Sequence, residues 1–516
     1  MARIAIRVDA SRAMSIGHLT RCLTLADALK ARGAEVVFLC APSIENWRDM
    51  VALRGHTLSV LPVIERNLNK DERGAAAHAD WLPWGWRADA EATLAALRGN
   101  VDWLIVDHYT LDARWEKVLR NGAAKIMVID DLADRPHECD LLLDQNAQGP
   151  GKDRYAALVP AAARRLIGPR YALLRPQFTA SRGRVRDGSV KRILVFMSAM
   201  DSKGATLRAL EALSSSEALR TIPVDVVIGA ASPHVEAIKA RAADHGRTKV
   251  HIDTEDMAAL CAAADFAIGA GGVAALERCC VALPSMTLSI AANQEPGLAA
   301  LAAAGVVRHL GRIEDVTQSQ FATDLERLLI DEASIAVLSK RAAALVDGRG
   351  AERCAATILG PIVALRKATM EDARRLRDWR NEESVRLLSL NPEPIVWSDH
   401  WAWLERKLRD PNHRHWIGES VGDACGSVRF DIAEGKAQIS IVVAPDQRGA
   451  GLGGRLLAEA EKLLLSERPD IKEFIAEVLP NNAASRRLFS RNGYELSSDE
   501  ALSPLRYIKF ARFGPA

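Results

Sequence analysis

The stretch ARIAIRVDASRAMSIGHLTRCLTLADAL (residues 2–29) decides how the first part of this chain folds. ARIAI is a short apolar run that predicts a buried strand, and from Leu19 onward apolar residues recur at helical spacing. A strand that turns directly into a helix is the opening unit of a parallel α/β sheet. Gly17 and His18 fall at that turn, where backbone N–H groups and the helix dipole favour an anion. A histidine there is placed to do chemistry beside a bound phosphate; a capping or core histidine is the structural alternative.

Outward from this stretch the pattern repeats. ARIAIRV, AEVVFLC, VDWLIVD and AKIMVID alternate with helical segments, which predicts a Rossmann-like sheet with crossover helices. A polar, basic connection, SRGRVRDGSVKR, precedes ILVFMSA, VDVVIGA, KVHID, FAIGAGG and SMTLSI, a second set of the same kind. Two such domains predict a GT-B arrangement with a nucleotide-sugar cleft at the carboxyl ends of the strands. Tryptophan marks the third block: after Trp115 none occurs until Trp379. The expected fold class is thus α/β, with Rossmann-like domains at 1–180 and 190–345 and a smaller α/β domain at 362–516.

Composition narrows the partners. Lys plus Arg (68) nearly balances Asp plus Glu (66), so the charge excess of a nucleic-acid binder is missing. Eight cysteines lack CxxC or Cys/His metal spacing, and Cys279 and Cys280 are adjacent, which suits reduced thiols, no metal and a cytoplasmic location. The most apolar tract, MAALCAAADFAIGAGGVAAL, carries Asp265 and several glycines, so no membrane span is expected.

The third block contains QISIVVAPDQRGAGLGGRLLAEAEKLL, in which Arg448, Gly449, Gly451, Gly453 and Gly454 join a strand to a helix. Glycines admit close backbone approach, and N–H groups at a helix start cradle a pyrophosphate. With EFIAEVLPNN and ASRRLFSRNGYE downstream, the block resembles the GNAT N-acetyltransferase family from residue 362 to about 510. That resemblance implies acetyl-CoA as co-substrate, with Arg448–Gly453 and Asn482 on the cofactor. Glu477 is the candidate base for the attacking ammonium, and a surface carboxylate is its alternative. Phe489 stands where many members place a tyrosine acid, and a phenyl ring has no proton to give.

In the second block, Gly269, Gly271 and Gly272 form a turn after a strand, a helix carries Glu277, and the next strand leads to Asn293 and Gln294. A carboxylate so placed accepts ribose hydroxyls; by spacing alone Glu277 also fits a solvated helix face. RVDASRAMSIGHLTRCLTLADAL, VDHYTLD, VIDDLADRPHECDLLLDQNA, GPRYALLRPQF and the Glu277–Gln294 region follow, in order, the pattern of the UDP-sugar hydrolases of pseudaminic acid biosynthesis, which are related to the peptidoglycan GlcNAc transferase. The resemblance covers residues 2 to about 345. It implies that His18 activates water, that Tyr109 lies beside the sugar, that Glu277 holds the uridine, and that Gly17, Arg21, Asp107, Asn293 and Gln294 bind substrate. Either Asp9 or Asp107 orients His18; the sequence leaves both open. Trp81, Trp84 and Trp86 wall the sugar or fill a core. The chain departs from the family pattern at Ser15, usually glycine, and at Ser198, Ala199 and Gly204 in the second phosphate loop.

The function these resemblances imply is bifunctional. One activity acetylates the 4-amino group of a UDP-4-amino-4,6-dideoxy sugar; the other hydrolyses UDP-2,4-diacetamido-2,4,6-trideoxy-β-L-altrose. The competing expectations are a UDP-sugar glycosyltransferase fused to an acetyltransferase, or an inactive UDP-sugar-binding scaffold.

Overall fold

The structure is a computed structural model and describes all residues except Arg12, Ala13, Ser15, 64–77, Pro150, Lys152, Ser216, Ala450, 498–503 and 512–516. The departure at Ser15 therefore lies outside the described residues. Two compact units divide the chain, Met1–Ala355 and Ala356–Ala516.

The first unit opens with a sheet of β1 (Arg3–Val8), β2 (Glu35–Cys40), β3 (Thr57–Val60), β4 (Val101–Asp107), β5 (Ala123–Ile129), β6 (Leu141–Asp144) and β7 (Arg164–Ile167). Their order is β3-β2-β1-β4-β5-β6-β7, parallel throughout. A second parallel sheet follows, of β8 (Ile193–Phe196), β9 (Val224–Ile228), β10 (Thr248–Ile252), β11 (Phe266–Gly269), β12 (Ser285–Ser289) and β13 (Arg308–Arg312), ordered β10-β9-β8-β11-β12-β13. Crossover helices cover both faces of such sheets, which is why the inner strands read as unbroken apolar runs; Ile4 to Val8 is buried without interruption. Each sheet reverses its order once, between β1 and β4 and between β8 and β11. The crevice outside the strand ends at such a reversal is where α/β sheets take ligands. Three helices start there: α1 (Gly17–Lys30) after β1, α2 (Ala205–Leu213) after β8 and α3 (Val273–Cys280) after β11. The two halves line one cleft between them, the GT-B arrangement.

The connection between the halves is not loose. Ala172, Leu174 and Phe178 pack into the core of the second sheet. Arg186, in the basic stretch, is 2% exposed and donates to the carbonyls of Cys261 and Ala264 at 2.9 Å. Later the chain returns through α4 (Gly350–Leu359), and Arg353 donates to the Arg170 carbonyl at 2.9 Å.

A buried polar knot fixes the first sheet. Asp89 accepts from Arg7 Nη2 at 2.6 Å, Trp115 Nε1 at 2.9 Å and Trp84 Nε1 at 3.1 Å, and Arg7 also holds Asp9. Removing Asp89 leaves Arg7 with Asp9 alone and the Trp84 and Trp115 indole N–H groups without their acceptor, together about 3–5 kcal/mol. Asp89→Ala is therefore expected to lose that much stability in urea denaturation of the full chain, whereas a change within about 0.5 kcal/mol would contradict this role for Asp89.

The second unit is a mixed sheet of β14 (Ala364–Lys367), β15 (His413–Ser420), β16 (Asp423–Ala433), β17 (Lys436–Val443), β18 (Glu473–Val478), β19 (Glu495–Leu496) and β20 (Leu505–Phe510), ordered β14-β15-β16-β17-β18-β20-β19. Its helices include α5 (Trp397–Arg409), α6 (Leu452–Glu467) and α7 (Ala483–Arg491). Leu456, Leu457, Ala460 and Leu464 of α6 pack on Trp416, Val428, Phe430 and Phe474 of the sheet. The parallel pair β17–β18 is in register only from Lys436↔Glu473 to Ile439↔Ala476, although both strands run further. The sheet forks there.

Candidate active sites

In the first unit, Gly17, His18, Arg21, Trp81, Tyr109, Asp131, Gln145 and Asn146 line one side of the cleft, and Gly272, Val273, Asn293 and Gln294 the other. His18 follows β1 and Asp107 ends β4, so the order reversal of the first sheet brings them together. Asp107 Oδ1 lies 2.6 Å from His18 Nδ1, and Arg21 grips the same carboxylate at 2.6 Å through both Nε and Nη2. Burial pushes the Asp107 carboxyl up, but the charges of Arg21 and His18 and their hydrogen bonds outweigh it and hold the group well below the usual carboxylate range. An ionised Asp107 accepts only, so Nδ1 donates to it, and in the neutral form of the ring Nε2 is the nitrogen with the lone pair. This resolves the choice left open by the sequence. Asp9, the other candidate, is occupied by Arg7 at 2.5 and 2.9 Å and by the Ala41 N–H at 2.6 Å.

Tyr109 meets the His18 ring edge-on at 4.6 Å, and Trp81 stacks on Tyr109 at 5.6 Å. Burial, followed by neighbouring Asp131, raises the Tyr109 phenol, so it stays protonated. The three tryptophans divide: Trp81 lines the cleft, whereas Trp84 and Trp86 pack against the first core. Asp131, Gln145 and Asn146 were not singled out from sequence; they follow β5 and β6, and β6 is a strand the sequence reading did not assign. Asp131 reaches Arg21 at 3.1 Å through Oδ2, while its buried Oδ1 has no hydrogen-bond partner among the described residues.

On the second half, Asn293 and Gln294 face the cleft, and Gln294 Oε1 accepts from the Ile290 N–H at 3.1 Å. Glu277 sits on another face of α3. It lines a smaller pocket with Phe196, Met257, Cys261 and Arg278, and it pairs with Arg175 at 3.2 Å. Burial raises its carboxyl, an effect that Arg175 only partly offsets. Arg278, missed from sequence, is 2% exposed and donates to the Ala270 carbonyl at 2.6 Å, while its Nε and Nη1 lack partners among the described residues. At the start of α2, Asp201 accepts from the Ala205 and Thr206 N–H groups at 2.9 and 2.8 Å. The chain's own carboxylate thus caps the helix end that a phosphate loop would offer. Ser198 Oγ accepts from the Asp201 N–H at 2.8 Å, and the Ala199 carbonyl accepts from Gly229 at 2.8 Å. Gly204, at φ +64°, is left-handed, a conformation asparagine shares more readily than other side chains.

In the second unit, Gly449 (φ +78°) and Gly451 (φ +74°) precede α6, and a Cβ at either position would meet nothing within 4 Å. The turn thus needs glycine for its backbone and leaves open space before it. A Cβ on Gly453 would touch Leu488 at 3.4 Å. Arg448 donates to Ser384 at 2.6 Å and pairs with Glu382 at 3.3 Å. Asn482 caps α7 by accepting from the Ser485 N–H at 3.0 Å and donates to the Leu388 carbonyl at 3.2 Å. Glu477 lies just past the fork, accepting from Gln438 at 3.2 Å and pairing with Arg506 at 3.4 Å. Phe489 is buried between Tyr494 and Tyr507. The Tyr494 hydroxyl is committed to Glu461 at 2.7 Å.

Among the described residues no cluster of three His, Cys, Asp or Glu side chains suits a metal, and no helix is long and apolar enough to cross a membrane.

Residues 374–494 match the acetyltransferase (GNAT) family. The spore coat polysaccharide biosynthesis protein SpsG of Bacillus subtilis is 31% identical over 212 residues, 40% of this chain and 62% of that protein, short of two thirds of its length. The UDP-2,4-diacetamido-2,4,6-trideoxy-beta-L-altropyranose hydrolase of Campylobacter jejuni is 26% identical over 260 residues, 50% of this chain and 81% of that protein. Among solved structures, MurG of Acinetobacter baumannii aligns at a TM-score of 0.49 and 14% identity, over 70% of this chain and 99% of its own. AAC(6')-Ib in complex with ribostamycin and coenzyme A aligns at 0.27 and 19% identity, over 29% of this chain and 93% of its own. The chain thus carries a carboxy-terminal domain of the acetyltransferase (GNAT) family behind an amino-terminal unit similar to the Campylobacter jejuni hydrolase.

Proposed function

We propose that this chain is a bifunctional nucleotide-sugar enzyme that N-acetylates a UDP-4-amino-4,6-dideoxy sugar and hydrolyses the resulting UDP-2,4-diacetamido-2,4,6-trideoxy-β-L-altrose, as in pseudaminic acid biosynthesis. The observation that carries it is the His18–Asp107–Arg21 constellation at the cleft, with Nε2 of His18 left as a base. Water, losing a proton to Nε2, attacks the anomeric carbon; the bond from that carbon to the diphosphate oxygen breaks and UDP leaves. Asp107 holds the imidazole in position and stabilises the imidazolium that forms. In the second unit, Glu477 takes a proton from the ammonium, the freed amine nitrogen attacks the thioester carbonyl of acetyl-CoA, the C–S bond breaks, and the second nitrogen proton passes through solvent to the leaving CoA thiolate. Eight buried, free cysteines accord with a cytoplasmic enzyme.

Incubating the protein with the UDP-4-amino sugar and acetyl-CoA and following products by NMR tests the reading. Free diacetamido sugar and UDP are expected without any acceptor. Transfer only to an added acceptor would make the first unit a glycosyltransferase, and binding without turnover a scaffold.

Glu277 is assigned to the ribose, and Glu277→Ala is expected to weaken UDP binding roughly 10-fold or more while the protein stays folded. Calorimetry that finds the parent's UDP affinity in the variant would place the nucleoside elsewhere.

A further inference from the structure

The face of the second unit's sheet opposite α6 carries charge that the acetyl-transfer step leaves unused. Antiparallel register puts His415 of β15, Arg429 of β16 and Ser440 of β17 in one row, and residues directly opposite share a face. Since β17 and β18 pair only as far as Ile439↔Ala476, Ser440 is the first residue of β17 beyond the fork. The row from Arg429 therefore ends where the strands part. Glu477 reaches the same face, through its hydrogen bond with Gln438.

The charges here do not balance. Asp431, beside Arg429 in the register of β16, is already engaged by Lys407 at 2.6 Å and His413 at 2.9 Å. Among the described residues no carboxylate lies within 4 Å of the Arg429 guanidinium, which instead sits over the Trp403 ring at 4.8 Å. Arg380 likewise has no carboxylate within 4 Å among the described residues, and its buried Nη1 has no hydrogen-bond partner there. Burial, together with the charges of Arg429 and Arg386, depresses the Arg380 guanidinium. His415 offers no compensation: burial and Arg429 push it down to about 3, so it is neutral, and its 7%-exposed ring leaves Nδ1 without a partner. The nearby acids are spoken for, Asp372 by Arg366 and Arg375, and Asp378 by Arg374 and Arg377. Two half-buried guanidiniums whose charges act on each other without a counter-ion repel, and a bound anion removes that penalty.

We infer that Arg380 and Arg429 are the anion seat of the acceptor site, so that the acetyltransferase takes an amine carried on a diphosphate in preference to a free amino sugar or a polyamine. The inference rests on the acetyltransferase reading of the fork and of the Arg448–Gly453 loop. Two guanidiniums match the charge of a diphosphate, and from that seat the amine extends past Ser440 toward Glu477. A polyamine would add positive charge to a site that already has too much, and a free sugar would leave both guanidiniums unpaired.

The test uses the full chain, acetyl-CoA and three amines: the UDP-linked 4-amino-4,6-dideoxy sugar, the same sugar without UDP, and spermidine, with initial rates read as CoA thiol release. The wild type is expected to favour the UDP-linked amine. Arg429→Gln is expected to lower kcat/KM for that amine about 10²-fold, mostly through KM, while changing the free sugar less than about 2-fold. Arg429→Lys should recover part of the loss, and Arg380→Gln provides a second variant should the first not fold. Equal losses on both sugars would overturn the anion seat alone, whereas a wild-type preference for the free sugar or spermidine, or no turnover of the UDP-linked amine by a chain that binds acetyl-CoA, would overturn the UDP-linked substrate and the seat with it. Failure of the wild type to bind acetyl-CoA in calorimetry would overturn the acetyltransferase reading and the seat with it.

Discussion

His18→Asn is expected to bind the UDP-sugar much as the parent does and to release UDP roughly 10²–10⁴-fold more slowly, the usual effect of removing a general base. The amide keeps a polar side chain against Asp107, and Arg21 still neutralises that carboxylate at 2.6 Å, so the cleft should keep its shape. What disappears is the basic lone pair of Nε2. CoA release by the second unit should be unchanged, because its site is built from other residues. The order of steps makes the result visible without a binding assay. In the wild type, UDP should appear quickly only when acetyl-CoA is present, since a free ammonium in a site shaped for an amide would lack a desolvated partner. In the variant, the diacetamido UDP-sugar should accumulate intact. Rapid UDP release by His18→Asn would remove the histidine from the mechanism, and equal release from amino and acetamido sugars in the wild type would refute the order.

The second large effect is expected from Gly451→Trp, which should abolish acetyl-CoA binding in calorimetry while UDP release from a pre-acetylated sugar survives. Two causes act together. At φ +74° the residue is left-handed, a conformation an indole-bearing residue adopts only with strain. A side chain there would also fill the open space before α6 that the pyrophosphate needs. Unchanged acetyl-CoA affinity would mean that the cofactor approaches α6 from elsewhere.

How much of this was legible in the sequence follows from where each residue sits. Strands buried on both faces, such as Arg3–Val8 and Val101–Asp107, announce themselves as apolar runs. Those not read are short or polar: Leu141–Asp144 has only four residues, Thr57–Val60 and Arg164–Ile167 are the outer strands of the first sheet, and Arg308–Arg312 is one of the two outer strands of the second. Partial exposure lets arginine, threonine and histidine replace the apolar signal. In the second unit, His413–Ser420 and Asp423–Ala433 escaped for a related reason, since they alternate core residues with the charged row argued above. The position of His18 could be read because a strand, a turn and a helix are local. Its partner could not: Asp9 and Asp107 lie at the ends of neighbouring strands, paired through Val8↔Asp107. Only the tertiary contact of Asp107 with His18 and Arg21 decides between them. Glu277 could be placed on a helix, but the face it presents, away from Asn293, depends on how α3 lies on the second sheet.

The two crossings between the Rossmann-like halves bear on modularity. Residues 172–186 belong by sequence to the end of the first half yet pack into the second, and Arg353, far downstream, is tied back to Arg170. A chain cut at residue 180 would leave the first fragment with Phe178 stripped of its core, and a fragment starting at Val190 would leave the Cys261 and Ala264 carbonyls without Arg186. The halves are interleaved rather than strung in series, so exchange of one Rossmann-like half between relatives would succeed only if the donor segment carries residues 172–186 with the second sheet and α4 with the first.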